Sequence, residues 1–133
     1  MVTLSKIIEG LEMVDDINDC YYNPEKDEIF LSNIGEYGDL SEEEIDELFE
    51  KSIILPTQYE INEYQMIEDF IETIENMEIK NNLQRVIQGK GAFRRFKDYC
   101  SEVDIIQEWY DLRDKKYKEI AIGWCKQNEL EYK

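Results

Sequence analysis

At 133 residues the chain is long enough for one domain with a sizeable core, and a composition of 42% hydrophobic and 35% charged residues is that of a folded, soluble protein. It contains no histidine, which excludes imidazole acid–base chemistry, Cys-His nucleophilic catalysis and mixed His/Cys zinc sites. Its net charge of −17 opposes nucleic acid and anionic membranes at long range.

The opening residues Met1-Val2-Thr3-Leu4-Ser5-Lys6 lack the basic-then-apolar layout of a signal peptide. No apolar run approaches the ~20 residues of a membrane span. Cys20, Cys100 and Cys125 lie far apart without CxxC spacing, so reduced, buried thiols in a cytoplasm are expected.

Leu4, Ile7, Ile8, Leu11 and Val14 form one stripe of an amphipathic helix. Cys20-Tyr21-Tyr22 and Ile29-Phe30-Leu31 flank Asn23-Pro24-Glu25-Lys26-Asp27, which predicts a β-hairpin around a turn. Ile34 to Asp39, with Gly35 and Gly38, is expected to be loop. Ser41 and Glu44 then make a capping box, Leu40 and Ile45 a hydrophobic staple, and Ile45, Leu48 and Phe49 the apolar face of a short helix. Ile53-Ile54-Leu55-Pro56 suits an extended connector or a short third strand.

From Pro56 onward the pattern is helical. A start at Asn62 with Gln65 and a start near Thr57 are both open, and Tyr64, Ile67, Phe70, Ile71 and Ile74 form the stripe. Asn76 interrupts it, and Ile79, Leu83, Val86 and Ile87 continue in a further helix with Gly89 in the C′ position. Phe93, Phe96, Cys100 and Val103 mark the next helix, with both phenylalanines expected to face inward. Asp104 and Gln107 open the last helix, whose stripe is Ile106, Trp109, Tyr110, Tyr117, Ile120, Ala121 and Trp124. The expected architecture is α+β and helix-dominated: a single domain over 1–133 with about six helices and a small N-terminal hairpin or three-stranded sheet. Within it, 1–56 is an acidic αββα part and 57–133 an all-helical part. Tyr21, Tyr22 and Tyr99 are the tyrosines expected at the surface.

The charge is unevenly placed. Residues 1–78 carry 23 Asp/Glu against 3 Lys/Arg, whereas residues 79–133 carry 9 against 12. Between Ile79 and Lys97 there is no carboxylate, and six basic residues stand there: Lys80, Arg85, Lys90, Arg94, Arg95 and Lys97.

Several runs resemble a bacterial family catalogued as Uncharacterised Protein Family 0158. They are Leu55-Pro56, Glu60-Ile61-Asn62-Glu63-Tyr64, Glu68-Asp69-Phe70-Ile71 and Gly89-x-Gly91-Ala92-Phe93-Arg94-Arg95-Phe96-Lys97-Asp98, followed by Trp109-Tyr110, Arg113-Asp114 and Ile120-Ala121-x-x-Trp124. The resemblance spans essentially the whole chain and implies a small, soluble bacterial protein with no assigned activity. Members of that family often carry Arg where this chain has Gln88 and Lys90, so the basic patch is slightly weaker here.

Two uses of the Gly89–Asp98 segment stay open at this point. Gly91 can open a helix N-terminus toward an anion, with Lys90, Arg94, Arg95 and Lys97 adding charge. Alternatively the glycines make a helix–helix corner whose arginines pair with the acidic half of the same chain. The segment is neither a GxxxxGK[ST] loop nor a dinucleotide fingerprint. Arg113 sits on the apolar stripe of the last helix and needs a partner: either a carboxylate such as Glu68 or Asp69, with stacking on Tyr110, or an anion shared with Arg94 or Arg95. Glu63, Glu68, Asp69 and Glu72 are the carboxylates from which a divalent-metal cluster would be drawn, although solvated surface acids account for most such runs.

These features point to a non-enzymatic binding or regulatory module that requires no cofactor. It would engage a small anionic ligand or a protein partner through Lys90, Gly91, Arg94, Arg95 and Lys97, flanked by Arg113. Nucleic acid is disfavoured except through this local patch, and no membrane association is expected. Two readings compete: an acidic mimic of nucleic acid occupying a basic partner, and a carboxylate- and metal-dependent enzyme acting on a phosphorylated substrate.

Overall fold

The stripe led by Leu4 forms helix α1, Leu4–Met13, which buries Ile7, Gly10 and Leu11. The structure, a computed structural model, describes residues 1–33 and 40–133; the loop expected at Ile34–Asp39 lies outside the described residues. The described residues fall into two compact units, Met1–Ile61 with Tyr117–Lys133, and Asn62–Lys116.

In the first unit, strands β1 (Cys20–Asn23) and β2 (Glu28–Leu31) pair antiparallel, with Tyr21 opposite Phe30 and Tyr22 opposite Ile29. Strand β3 (Ile53–Ile54) joins the other side of β1, giving the order β2-β1-β3. The buried Asn23 shapes the turn, its Oδ1 accepting from the N–H groups of Glu25 at 2.9 Å and Lys26 at 3.2 Å. Pro24 follows with its fixed φ, and Asp27 ends the turn at φ +52°.

Asp27 is also the hub that ties the hairpin to α1. Its carboxylate accepts from Tyr22 Oη at 2.7 Å and Thr3 Oγ1 at 3.0 Å, and faces Lys6 Nζ at 3.3 Å. Lys6 Nζ further donates to the Asp27 carbonyl at 2.6 Å. These donors, the Tyr22 hydroxyl foremost, hold the Asp27 carboxyl down at about 2. Tyr22 is therefore buried, contrary to expectation: alternation along β1 turns it inward, edge-on to Trp124 at 5.9 Å. Tyr21 and Tyr99 are only partly exposed, and among the described residues the tyrosines at the surface are Tyr59 and Tyr110.

Helix α1 lies against the hairpin through Gly10. A Cβ built there would stand 2.6 Å from Leu55 Cδ1 and 3.1 Å from Cys20 Sγ. Overpacking costs about 1–3 kcal/mol, and the better helix propensity of alanine returns about 1 kcal/mol. Gly10→Ala is thus expected to lower stability by about 1 kcal/mol in urea titration. A stabilised variant would show that Leu55 yields freely.

Helix α2, Glu42–Glu50, starts as expected: Ser41 Oγ accepts from the Glu44 N–H at 3.2 Å and donates to its carboxylate at 3.3 Å. Phe49 closes an aromatic cluster with Tyr21 and Phe30, at ring distances of 5.0 and 5.3 Å.

Both starts left open near Pro56 occur. Thr57 and Glu60 form a reciprocal capping box for the one-turn helix α3, Gln58–Ile61. Asn62, at φ +48°, then ends that turn and caps helix α4, Glu63–Glu72, through Gln65 N–H. Asn76 caps helix α5, Met77–Val86, by accepting from Glu78 and Ile79 N–H. Helix α6 is Ala92–Glu102 and helix α7 is Ile106–Gln127. Around them the second unit buries Phe70, Phe96 and Trp109 as a three-ring cluster with centroids 5.0–5.9 Å apart.

Asp104 does not open α7 as its sequence position suggested. At φ +62° it closes α6 in a Schellman motif, with Ile105 N–H on Cys100 O at 2.8 Å and Asp104 N–H on Ser101 O at 3.3 Å. Glu129, at φ +57°, ends α7 the same way, with Leu130 N–H on Cys125 O at 2.8 Å. A left-handed backbone costs a non-glycine residue about 1–2 kcal/mol. Glu129→Gly is therefore expected to raise the thermal midpoint, with a gain of about 0.5–1 kcal/mol after glycine's own entropic cost. The tail is not helical throughout, because Tyr132 forms a bridge with Val2 beyond α7.

Six helices of nine or more residues plus the one-turn α3 and a three-stranded antiparallel sheet make a helix-dominated α+β fold among the described residues. Cys20, Cys100 and Cys125 are free and buried. Burial pushes their thiols up, Cys20 to about 11 and Cys100 to about 12, so none is a ready nucleophile.

Candidate functional site: the corner between α5 and α6

The corner at residues 86–91 begins with a chemical problem. At the end of α5, Leu83 O and Arg85 O accept from the N–H groups of Ile87 and Gln88, and Gln84 O accepts from Gln88 Nε2, which leaves Val86 O and the carbonyls of the turn beyond it in need of donors. Arg95 supplies them: its Nε donates to Val86 O at 2.9 Å, and its two Nη groups donate to the carbonyls of Gln88 and Lys90. Tyr64 Oη donates to Ile87 O at 3.0 Å. Side chains from the two neighbouring helices thus close a corner that the chain could not close by itself. A guanidinium also suits the negative end of the α5 dipole.

The glycines follow from this arrangement. Gly89 and Gly91 both lie near φ +77°. Gly89 is two residues beyond the C-cap Ile87, one place later than the C′ position expected. Gly91 is the N-cap of α6, and a Cβ there would come within 3.0 Å of Arg95 Nη1. Gly91 therefore gives Arg95 its passage as well as making the turn.

Arg94 takes the opposite course. One residue is about 100° around a helix, so Arg94 points away when Arg95 points to α5. Its side chain is 90% exposed and its ion-pair partner is Asp98, one turn on, at 4.0 Å. Neither arginine has its hydrogen-bond or ion-pair partner among the described carboxylates of residues 1–78.

The six cations of the carboxylate-free window thereby divide into two groups. Lys80 meets Glu72 at 3.5 Å, Arg85 donates to Asn82 Oδ1, and Arg95 holds the corner. Lys90, Arg94 and Lys97 are exposed, as are Arg85 and Arg95, but Lys90 and Lys97 have no carboxylate within bridging distance among the described residues and Arg94 has only Asp98.

Phe93 departs from expectation. α6 buries Ala92, Phe96 and Cys100 at intervals of four, whereas Phe93 lies about 100° from Ala92 and is 43% exposed. Its ring stands edge-on to Tyr64 at 6.3 Å. Phe93, Lys97 and Arg94 occupy adjacent positions around the helix, so the solvent face of α6 carries an aromatic ring beside two cations, with Lys90 just ahead of the first turn. The sequence signal for this was available: Phe93 and Phe96 are three apart, and the two buried neighbours Ala92 and Cys100 share a phase with Phe96.

Arg113, on α7, is one-fifth exposed and donates from Nε to Glu63 Oε1 at 3.0 Å. The carboxylate partner of Arg113 Nε is thus Glu63, which precedes Glu68 and Asp69 on α4. Asp69 instead faces Lys116 at 3.4 Å and accepts from Gln65 Nε2 at 3.0 Å, and the Gln65 contact leads in lowering its pKa. Tyr110, expected on the buried stripe, is 40% exposed. Of the carboxylates considered for a metal, Glu63 and Asp69 are engaged by cations, and Glu68 is exposed. Among the described residues no three His, Cys, Asp or Glu side chains are grouped as a metal site requires. Likewise, none of their helices is long and apolar enough to cross a membrane.

No curated protein and no solved structure matches the chain. A family model does match, over residues 1–133, and on that evidence the chain belongs to the Uncharacterised protein family (UPF0158).

Proposed function

We propose that this protein is a non-enzymatic binding module of the cytoplasm, and that the exposed face of α6 recognises an anionic ligand or an acidic partner. The observation that carries the reading is the division of the basic window. Arg95 is occupied in closing the corner, while Lys90, Arg94 and Lys97 stand in solvent beside Phe93. The segment Asn62–Lys116 holds 9 of the 15 Lys/Arg, so the −17 charge of the whole chain is carried mainly outside it. Buried, free thiols agree with a reducing compartment. The exposed Arg94–Asp98 pair is worth only about 0.3–0.5 kcal/mol, so an incoming carboxylate or phosphate can replace Asp98.

The test uses charge variants that leave the corner intact. Binding of an acidic probe peptide, followed by fluorescence anisotropy, is expected to weaken at least tenfold in Arg94→Glu/Lys97→Glu. Asp98→Asn is expected to tighten it by about twofold, the equivalent of the pair that is lost. Binding indifferent to all three positions would remove α6 as the recognition surface.

A further inference from the structure

Resting on that reading, we infer that the occupant of the α6 face is an acidic protein segment with an apolar anchor residue that packs on Phe93, and is neither a free small anion nor a nucleic acid. Three observations separate these ligands. The first is Phe93 itself. A surface for phosphate or a lone carboxylate gains nothing from a ring that is 43% exposed at its centre. A protein interface does, because aromatic residues and arginine are the side chains enriched where binding energy concentrates.

The second is how the ring is held. Phe93 abuts Tyr64, and Tyr64 is fixed by its hydroxyl on Ile87 O at 3.0 Å. Arg95 locks the same turn from the other side. The anchor is therefore fixed before binding, and little side-chain entropy is lost when a partner covers it.

The third is charge. Lys97 lies one helical turn from Phe93, Arg94 lies next to it, and Lys90 precedes it, so an apolar side chain on Phe93 is flanked by cations. A segment carrying a few carboxylates around one large apolar residue complements that pattern. A nucleic acid strand places a negative charge at every nucleotide, and would bring the rest of its length against a chain of net charge −17.

The experiment measures fluorescence anisotropy on the full chain with four probes. They are an acidic amphipathic peptide of Glu and Leu, a poly-glutamate of the same charge, inorganic phosphate as a competitor, and a single-stranded oligo-dT. The Glu/Leu peptide is expected to bind at least tenfold more tightly than poly-glutamate. Phe93→Gln is expected to erase that tenfold advantage while leaving poly-glutamate unchanged. Phe93→Leu, which keeps the site apolar, is expected to retain most of it, and circular dichroism verifies that both variants fold. Equal binding of the two peptides, or a Glu/Leu peptide unaffected by Phe93→Gln, overturns the inference and leaves a purely electrostatic α6 surface. Displacement by millimolar phosphate or tighter binding of oligo-dT overturns the partner class. If no probe responds to Arg94→Glu/Lys97→Glu, the proposed function itself fails along with the inference.

Discussion

Replacing Arg95 by alanine is expected to lower stability by about 2 kcal/mol, while replacing the adjacent Arg94 changes it by less than about 0.5 kcal/mol. Hydrogen bonds to a charged donor are worth about 1.5–3 kcal/mol when isolated. Arg95 makes three of them, to Val86, Gln88 and Lys90. The sum is reduced because the corner is exposed and water can take over part of the work. Arg95→Lys is expected to recover less than half, because one ammonium cannot reproduce the planar fork that reaches three carbonyls. Arg95→Glu is expected to cost more than alanine, about 3 kcal/mol, by placing negative charge at the negative end of α5. Among the described residues Arg94 has only the exposed contact with Asp98, which sets its small effect. Urea titration gives the magnitudes. Amide hydrogen exchange gives the place, with faster exchange expected in the last turn of α5 and the first turn of α6. Equal destabilisation by the two alanine variants would mean that the corner is not closed by Arg95.

Asp27→Asn is the second large effect, expected at about 1–2 kcal/mol near neutral pH. Asparagine tolerates the left-handed backbone at φ +52°, so the substitution leaves the turn in place and changes only the carboxylate. What it removes is the carboxylate that gathers Tyr22, Thr3 and Lys6. The folded Asp27 titrates at about 2, below the ~3.9 of an unfolded aspartate. A depressed folded value contributes stability that is fully present above the unfolded value and is lost as pH falls through the folded one. The contribution of Asp27 is therefore complete above about pH 4 and disappears between about pH 4 and 2. The full shift would correspond to somewhat more than 2 kcal/mol, and about 1–2 is expected because the carboxylate is one-third exposed. In thermal melts across that range the gap between the parent and Asp27→Asn should close as acid is added. A gap constant from pH 7 to pH 2 would show that the hub works through shape and not through charge.

Helix starts were legible because they rest on local chemistry. Ser41 and Asn62 accept backbone N–H bonds from the residues three positions ahead, and such bonds need no distant partner. The hairpin was legible for the same reason, since Asn23 and Pro24 shape its turn from within. The end of α6 was not. Asp104 has the composition of an N-cap, and only the preceding Cys100 and Ser101 carbonyls show that it closes a helix instead of opening one. The inward reading of Phe93 failed over the phase of one residue around α6.

By itself the sequence determined the order of elements, the helix-dominated α+β class and the carboxylate-free stretch of six cations, because composition and periodicity act within a few residues. The tertiary structure alone decided what each cation does. Arg94 and Arg95 are chemically identical and adjacent, and nothing in their order distinguishes them. The carbonyls of Val86, Gln88 and Lys90 need donors and stand within reach of Arg95, so the fold takes Arg95 into the corner and leaves Arg94 with only an exposed contact beside Phe93.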